Sequence, residues 1–159
     1  AKKLKDAAID AGGDPAKVQS YTTKYRVTKN GKTSRYVEKV LGVEETDYEM
    51  LKKYELTKEQ TIELFDYAKE RTIIFSAPFD LESADELAEL GVDCYKIASF
   101  DLVNLPLIRK VASTQKPIII STGMSYLSEV QDALMEVAKC GNPNVILMQC
   151  TSSYPSTKY

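Results

Sequence analysis

Short apolar runs alternate with amphipathic segments along most of the chain. Most of the runs are rich in β-branched residues, which favours buried strands, and the segments between them repeat apolar residues every three or four positions, which is typical of helices packed on a sheet. The predicted strands span residues 16–20, 72–77, 94–99, 117–122 and 145–150. The predicted helices span residues 2–11, 56–70, 83–90, 105–113 and 130–140. This alternation indicates an α/β fold with a parallel sheet.

Capping residues mark where three of these helices begin. Thr57 is followed by Gln60 at the spacing of a capping box, in which two side chains satisfy free backbone N–H groups reciprocally. Ser83 and Glu86 repeat this spacing and predict a second capping box. Asn104 is placed to cap the following helix.

The sequence favours a (β/α)8 TIM barrel, with an open sheet as the alternative. Alternation along the strands assigns one set of side chains to the face away from the helices: Lys17, Gln19, Ser76, Lys96, Ile119, Ser121, Leu147 and Gln149. Polar members of this set gather near the carboxyl ends of the strands, where a barrel carries its active site. A complete barrel has eight strands and about 250 residues. Because the chain supplies about five strands, residues 1–159 are predicted to form one partial barrel domain.

Composition and charge exclude several classes of protein. The formal net charge of −2 and a pI near 5.3 give the whole chain no bias toward nucleic acid or an anionic membrane. No apolar stretch has the length of a signal-peptide core or a membrane span. We therefore expect a cytoplasmic protein with no nucleic-acid or membrane partner.

The cysteine and histidine content limits the chemistry further. Cys94, Cys140 and Cys150 are too few and too scattered for a disulfide scaffold, so we interpret them as reduced packing residues. The sequence contains no histidine, which excludes histidine-based triads and histidine-ligated metal sites built from these residues alone.

Two lysines on different predicted strands indicate an anion site. Lys96 lies inside an apolar run, although lysine is rarely buried without a partner, and Lys17 shares its inward parity. Two ammonium groups about 6 Å apart would repel each other by roughly 3 kcal/mol at an effective dielectric of 20. An anion would remove this repulsion, and Ser99 and Ser121 would add donors for a phosphate or carboxylate. A structural ion network with nearby carboxylates is the alternative.

Four ordered motifs resemble the sialic acid synthase family, whose members condense phosphoenolpyruvate with an N-acetylated sugar aldehyde. The motifs occupy residues 16–21, 75–108, 116–125 and 149–155. The resemblance implies a metal-dependent barrel followed by a small antifreeze-like domain, working as a homodimer. The N-terminal strand, the last strands, the antifreeze-like domain and the ligands of the divalent metal, Mn²⁺ or Mg²⁺, would lie outside this chain. No metal ligand is therefore assigned here, and the 159 residues alone are expected to be inactive.

The resemblance also implies roles for individual residues. Phosphoenolpyruvate would be bound by Lys17, Lys96, Ser99 and Ser121. Catalysis would involve Lys96 and Asp101, the latter in proton transfer. The sugar would be contacted by Gln19, Ser152 and Tyr154.

Two departures from the family pattern affect these expectations. Ala77 stands where the family commonly has threonine, so a hydroxyl that would contact phosphate is missing. Asp101 stands where glutamate is usual, and its side chain is one methylene shorter.

The long connection of residues 20–56 follows a strand, and we expect it to serve partly as a lid and partly as a sugar contact.

Three other functions remain open at this point. Another phosphoenolpyruvate-condensing barrel would make a 3-deoxy sugar acid with similar lysines. A Schiff-base aldolase would use Lys96 as a nucleophile, activated by the neighbouring charge of Lys17. A non-catalytic anion-binding segment is the third alternative. The sequence also leaves the acceptor open between N-acetylmannosamine and a diacetamido relative.

Overall fold

The computed structural model describes residues 1–31, 45–153 and 156. The helices are α1 (Lys2–Asp10), α2 (Thr23–Arg26), α3 (Asp47–Tyr54), α4 (Lys58–Lys69), α5 (Leu81–Glu89), α6 (Leu105–Ala112) and α7 (Leu127–Lys139). The strands are β1 (Pro15–Ser20), β2 (Ile73–Pro78), β3 (Tyr95–Ile97), β4 (Ile118–Ser121) and β5 (Val145–Met148), and a 3₁₀ turn, Ser99–Asp101, follows β3. All five predicted strands and all five predicted helices are therefore confirmed.

The five strands form one parallel sheet in the order β1-β2-β3-β4-β5. Each strand thus pairs with the strand that follows it in the chain. A doubly wound sheet reverses its strand order at a central strand, which this sheet does not do. The topology is that of a segment of a (β/α)8 barrel, as the sequence predicts.

The hydrophobic core lies between this sheet and the helices. Tyr95, Ile97, Ile118 and Ile120 are fully or almost fully buried on the helix-facing side of the sheet. The helices add a second set of buried apolar residues: Leu64, Leu87, Leu107, Ile108, Val111 and Val137. This packing leaves the other face of the sheet for the side chains that alternate with the core residues.

Two residues predicted to face away from the helices lie on the helix side instead. Ser76 is in register with Val18 and Tyr95, and Leu147 is in register with Ile120. Residues in register on parallel strands share a face, so the prediction is wrong for Ser76 and Leu147. Ser76 is buried there without penalty because its hydroxyl donates a hydrogen bond to the Val18 carbonyl at 3.3 Å.

The predicted start of α4 is confirmed. The Thr57 hydroxyl accepts from the Gln60 backbone N–H at 3.2 Å, and the Gln60 side chain accepts from the Thr57 N–H at 3.0 Å. Asn104 caps α6 as predicted, since its side chain accepts from the Leu107 N–H.

The predicted start of α5 is wrong. Asp80, rather than Ser83, caps this helix, and its carboxylate accepts from the Ser83 N–H at 2.7 Å. The Ser83 hydroxyl donates to the same carboxylate at 2.9 Å. A carboxylate is the better acceptor at the positive end of a helix, so α5 starts at Leu81, before the serine.

In its described part, the long connection after β1 contains two helices that the sequence pattern does not predict. The start of α3 carries a complete capping box between Thr46 and Glu49, which is visible in the sequence as a threonine three residues before a glutamate. Helix α2 has only four residues, too few for a periodic pattern. Residues 32–44 of the predicted lid lie outside the described residues.

None of the helices in residues 1–31 and 45–153 combines the length and apolar character that crossing a bilayer requires.

Candidate functional site

A cavity of about 500 Å³ lies at the carboxyl ends of the strands. Its walls are formed by Lys17, Gln19, Ala77, Phe79, Lys96, Ala98, Ser99, Phe100, Ser121, Met124, Met148, Cys150, Thr151 and Ser152. Lys17 comes from β1 and Lys96 from β3, so the prediction that both lysines face one cavity is confirmed. Their role in binding phosphoenolpyruvate stays a prediction.

Lys96 is held in place by two hydrogen bonds. Its Nζ donates to the Ile97 carbonyl at 2.6 Å and to the Ser121 hydroxyl at 2.5 Å. Burial lowers the pKa of Lys96, and the positive charge of Lys17 lowers it further, whereas Cys150 acts in the opposite direction. Burial also lowers the pKa of Lys17. The two ammonium groups therefore lie in a site that would gain from a bound anion.

Cys150 belongs to the same group of contacts. Its Sγ lies 3.3 Å from the Ser121 hydroxyl and 3.5 Å from the Met148 carbonyl oxygen, and its single S–H proton can be donated to either. Ser121 thus links the end of β4 both to Lys96 and to the segment after β5. From the sequence we interpret Cys150 only as a packing residue, and no local pattern marks it as part of this site.

Gly123 brings Ser99 and Ser152 close to this group. The Gly123 N–H donates to the Ser99 hydroxyl at 3.1 Å. A Cβ atom at residue 123 would lie 2.5 Å from the Ser152 Oγ, 3.0 Å from the Ser99 Oγ and 3.1 Å from the Cys150 carbonyl oxygen. Only glycine fits between these groups without displacing them.

The residues predicted to contact the sugar are placed in part. Gln19 and Ser152 line the cavity, and both side chains are exposed to it. Tyr154 lies outside the described residues. Ala77 also lines the cavity, so the hydroxyl that the family pattern would supply is missing from its wall.

Asp101, the predicted acid–base residue, does not line the cavity. Its side chain is buried, with 7% of the residue exposed, and its Oδ2 has no hydrogen-bond partner among the described residues. Burial raises the pKa of Asp101 to about 6, although a hydrogen bond from Asn104 and the positive charge of Arg26 act against this rise. A carboxyl group with such a pKa changes its charge near neutral pH, as an acid–base catalyst must.

Aromatic residues form a wall that sequence reasoning missed. Phe79 and Phe100 follow β2 and β3 and stack with their ring centroids 5.4 Å apart. Tyr21 meets Phe79 edge-on at 6.4 Å. The guanidinium of Arg26, from α2, lies 3.8 Å from the Phe79 ring centroid and 6.0 Å from that of Phe100. These contacts join residues far apart in the chain, so no local pattern predicts them.

The donor set of this part of the molecule does not suit the expected divalent metal. Among the described residues, no three or more Cys, Asp or Glu side chains cluster closely enough to hold a metal ion, and the sequence has no histidine. We therefore assign no chemical step to a metal here.

Comparisons with known proteins give a consistent result. The profile of the NeuB family matches residues 4–158. The chain is 41% identical to an N,N'-diacetyllegionaminic acid synthase from Campylobacter jejuni, over 98% of this chain and 48% of the relative. It is 36% identical to a pseudaminic acid synthase from Helicobacter pylori, over 98% of this chain and 46% of the relative.

A solved structure shows the same likeness in three dimensions. The crystal structure of the N-acetylneuraminic acid (sialic acid) synthetase from Leptospira borgpetersenii in complex with citrate superposes with a TM-score of 0.83 at 28% identity. The match covers 98% of this chain and 50% of that protein. The chain thus spans about half the length of the relatives that it matches.

Proposed function

Because the chain belongs to the NeuB family, we propose that it forms the phosphoenolpyruvate-binding part of an enzyme that makes a sialic-acid-type nonulosonic acid. The observation that carries this proposal is the cavity shared by Lys17 and Lys96 at the carboxyl ends of the strands. Legionaminic and pseudaminic acid synthases among the relatives support the class of product. The acceptor would be N-acetylmannosamine or a diacetamido relative.

The proposed reaction joins phosphoenolpyruvate, the sugar and water. C3 of phosphoenolpyruvate attacks the aldehyde carbon, which forms the new C–C bond and leaves positive character at C2. Water then adds to C2, and the phosphate group departs with the C2–O bond broken. One proton of the water goes to the former aldehyde oxygen, which becomes a hydroxyl, and the other leaves with the phosphate. The products are the nonulosonic acid and inorganic phosphate, so all atoms are accounted for.

The residues of the cavity suit the charge of this substrate. Lys17 and Lys96 supply two positive charges for an anion with a carboxylate and a phosphate group, and Ser99 and Ser121 supply hydroxyl donors. Such donors, fixed before the substrate arrives, also stabilise the charge that develops during the reaction. Gln19 and Ser152 are left to contact the sugar, and Asp101 is the candidate for proton transfer.

Three further parts of the proposal concern the whole protein. We propose that the complete enzyme is a homodimer, that it requires Mn²⁺ or Mg²⁺ bound by residues outside this chain, and that these 159 residues alone are inactive. Dialysis of the complete gene product against a chelator, followed by activity measurement with and without added Mn²⁺, tests the metal requirement directly.

The function is tested by phosphate release in the complete gene product that contains this chain. Phosphoenolpyruvate, Mn²⁺ and either N-acetylmannosamine or a 2,4-diacetamido hexose are supplied in separate reactions. We expect phosphate release that depends on one sugar, together with a product whose mass is that of the corresponding nonulosonic acid. Phosphate release that is the same with and without every sugar would reject the proposal.

The lowered pKa of Lys96 favours one other function, a Schiff-base aldolase, because a lower pKa leaves more of the amine neutral and nucleophilic. We nevertheless expect no covalent adduct, since Nζ already donates to the Ile97 carbonyl and the Ser121 hydroxyl. The protein is incubated with pyruvate and borohydride and analysed by peptide mass spectrometry. A reduced adduct on Lys96 that is missing from a Lys96→Ala protein would establish the aldolase instead.

Replacing Gly123 by alanine should weaken phosphoenolpyruvate binding. The added Cβ would displace the Ser99 and Ser152 hydroxyls, which lie 3.0 and 2.5 Å from it. We expect KM for phosphoenolpyruvate to rise by about five- to tenfold, corresponding to about 1 kcal/mol of lost binding. Gly31→Ala is the matched control, because its Cβ would meet its nearest neighbour at an ordinary 3.5 Å. Equal KM values in the two variants would contradict the placement of Ser99 in the binding site.

A further inference from the structure

Near the cavity, two buried side-chain atoms that belong to groups of opposite charge have no hydrogen-bond partner. They are Nη1 of Arg26 and Oδ2 of Asp101, and in residues 1–31, 45–153 and 156 only these two side-chain atoms have this property. Buried charged groups are normally hydrogen-bonded or paired. Both exceptions lie in one region and belong to groups of opposite charge, so each charge is partly compensated by the other.

The aromatic wall determines where Arg26 lies. Its guanidinium stacks on Phe79 at 3.8 Å and lies 6.0 Å from the Phe100 ring, with the Tyr21 ring 4.8 Å away on another side. Phe100 immediately precedes Asp101 in the 3₁₀ turn after β3. Arg26 is thus held by aromatic contacts beside the turn that carries Asp101, while its Nη1 makes no hydrogen bond of its own.

Two neighbouring groups act against the effect of burial on the pKa of Asp101: the Asn104 side chain, which has the larger effect, and the charge of Arg26. The positive charge of Arg26, from α2, lowers the pKa of Asp101. Burial lowers the pKa of Arg26, and the charges of Tyr21 and Asp101 act against this. Asn104, which begins the next helix, contributes a hydrogen bond that also favours the charged carboxylate. Among the ionisable groups that line the cavity, Lys17 and Cys150 act on Lys96.

From this geometry we infer that Arg26 is a positioning residue for Asp101, holding the buried carboxyl group in its charged form beside the cavity. The aromatic contacts hold the guanidinium beside the turn that carries Asp101, and its charge acts on the carboxylate without a hydrogen bond between the two side chains. One oxygen of Asp101 therefore stays free to accept a proton. The catalytic meaning of this arrangement rests on the proposed function, whereas the electrostatic effect itself does not.

The direct test measures the titration of Asp101 by NMR in the complete protein labelled with carboxyl-¹³C aspartate. The Asp101→Asn spectrum assigns the signal. Arg26→Met keeps the apolar contact with Phe79 and Phe100 but removes the charge, and we expect it to raise the pKa of Asp101 by about 0.5–1 unit. Arg26→Lys restores a charge and should return the value toward that of the wild type. Arg26→Gln provides a second neutral variant if the methionine variant folds poorly.

Arg71→Met is the matched control. Arg71 also lies over a tyrosine ring, Tyr67, at 5.4 Å, and its removal eliminates one positive charge elsewhere on the molecule. An unchanged titration of Asp101 in both neutral Arg26 variants, or an equal shift in Arg71→Met, would overturn the inference.

Activity provides a second readout that separates this inference from the proposed function. If both are correct, the acidic limb of the pH–rate profile moves upward in Arg26→Met by the same amount as the NMR titration. A shifted titration in a protein without synthase activity would support the electrostatic role and reject the function. An unshifted titration in an active synthase would support the proposed function and reject the electrostatic role of Arg26.

Discussion

Lys96→Ala is expected to lower kcat/KM for phosphoenolpyruvate by about ten- to 150-fold in the complete enzyme. The substitution removes a charge-assisted hydrogen bond to a buried anion, which contributes about 1.5–3 kcal/mol. It also frees the Ser121 hydroxyl, to which Nζ donates at 2.5 Å, so a second donor loses its fixed orientation. Steady-state kinetics with phosphoenolpyruvate as the varied substrate gives the result.

Lys116→Ala is the control for this experiment. Lys116 is an exposed lysine just before β4, at the end of the sheet opposite to the cavity, so its removal changes the net charge by the same amount without touching the site. We expect its kinetics to match those of the wild type. A Lys96→Ala enzyme with unchanged KM and kcat would show that the cavity is not the phosphoenolpyruvate site.

The lysine pair was predictable because it depends on period-two alternation within strands. Lys17 shares its face of the sheet with Phe75, and Lys96 shares it with Ile119. In β1 and β3 this face alternates with the one that carries the core residues Val18 and Tyr95. Such alternation is local and can be counted along the sequence. The alternation gave a wrong prediction at Ser76. This small polar residue resembles a cavity residue in the sequence, but its hydroxyl donates to a backbone carbonyl on the core side of the sheet.

Contacts between distant segments could not be predicted in this way. The contact of Arg26 with Phe79 and Phe100 joins three different loops at the carboxyl ends of β1, β2 and β3. The depth of Asp101 also depends on those loops, because its position after the Ser99 motif gives its neighbours in the chain but not its burial. Resemblance to a family suggests the role proposed for Asp101, and the structure shows the environment in which that role would operate.

The burial of Asp101 suits this residue to the proposed proton transfer but makes its charged form unfavourable for the stability of the fold. Asp101 is 7% exposed and its pKa is about 6, compared with 3.8 for an unperturbed aspartate. Between these two values the folded protein binds more protons than the unfolded chain, so the free energy of unfolding falls as the pH rises through this window. Above about pH 6 the charged carboxylate therefore destabilises the fold. A group kept in such a position is a candidate for function rather than for structure.

Asp101→Asn is accordingly expected to stabilise the protein at alkaline pH while abolishing most of its activity. The amide has the shape of the carboxylate but never ionises, so the variant should exceed the wild type by about 2–3 kcal/mol in unfolding free energy at pH 8. The difference should shrink steadily as the pH is lowered from 7 to 4. Urea unfolding of both proteins at several pH values measures it.

The pH dependence, rather than the single value at pH 8, distinguishes the cause. Asp10→Asn is the control, because Asp10 is an exposed aspartate at the end of α1. Its replacement makes the same chemical change but removes no buried charge. We expect this variant to differ from the wild type at pH 8 by no more than about 0.5 kcal/mol, as is usual for surface substitutions. A constant difference for Asp101→Asn would mean that the amide stabilises through packing or a new hydrogen bond. Burial of the carboxyl group would then not destabilise its charged form. The physical argument for proton transfer by Asp101 at neutral pH would fail.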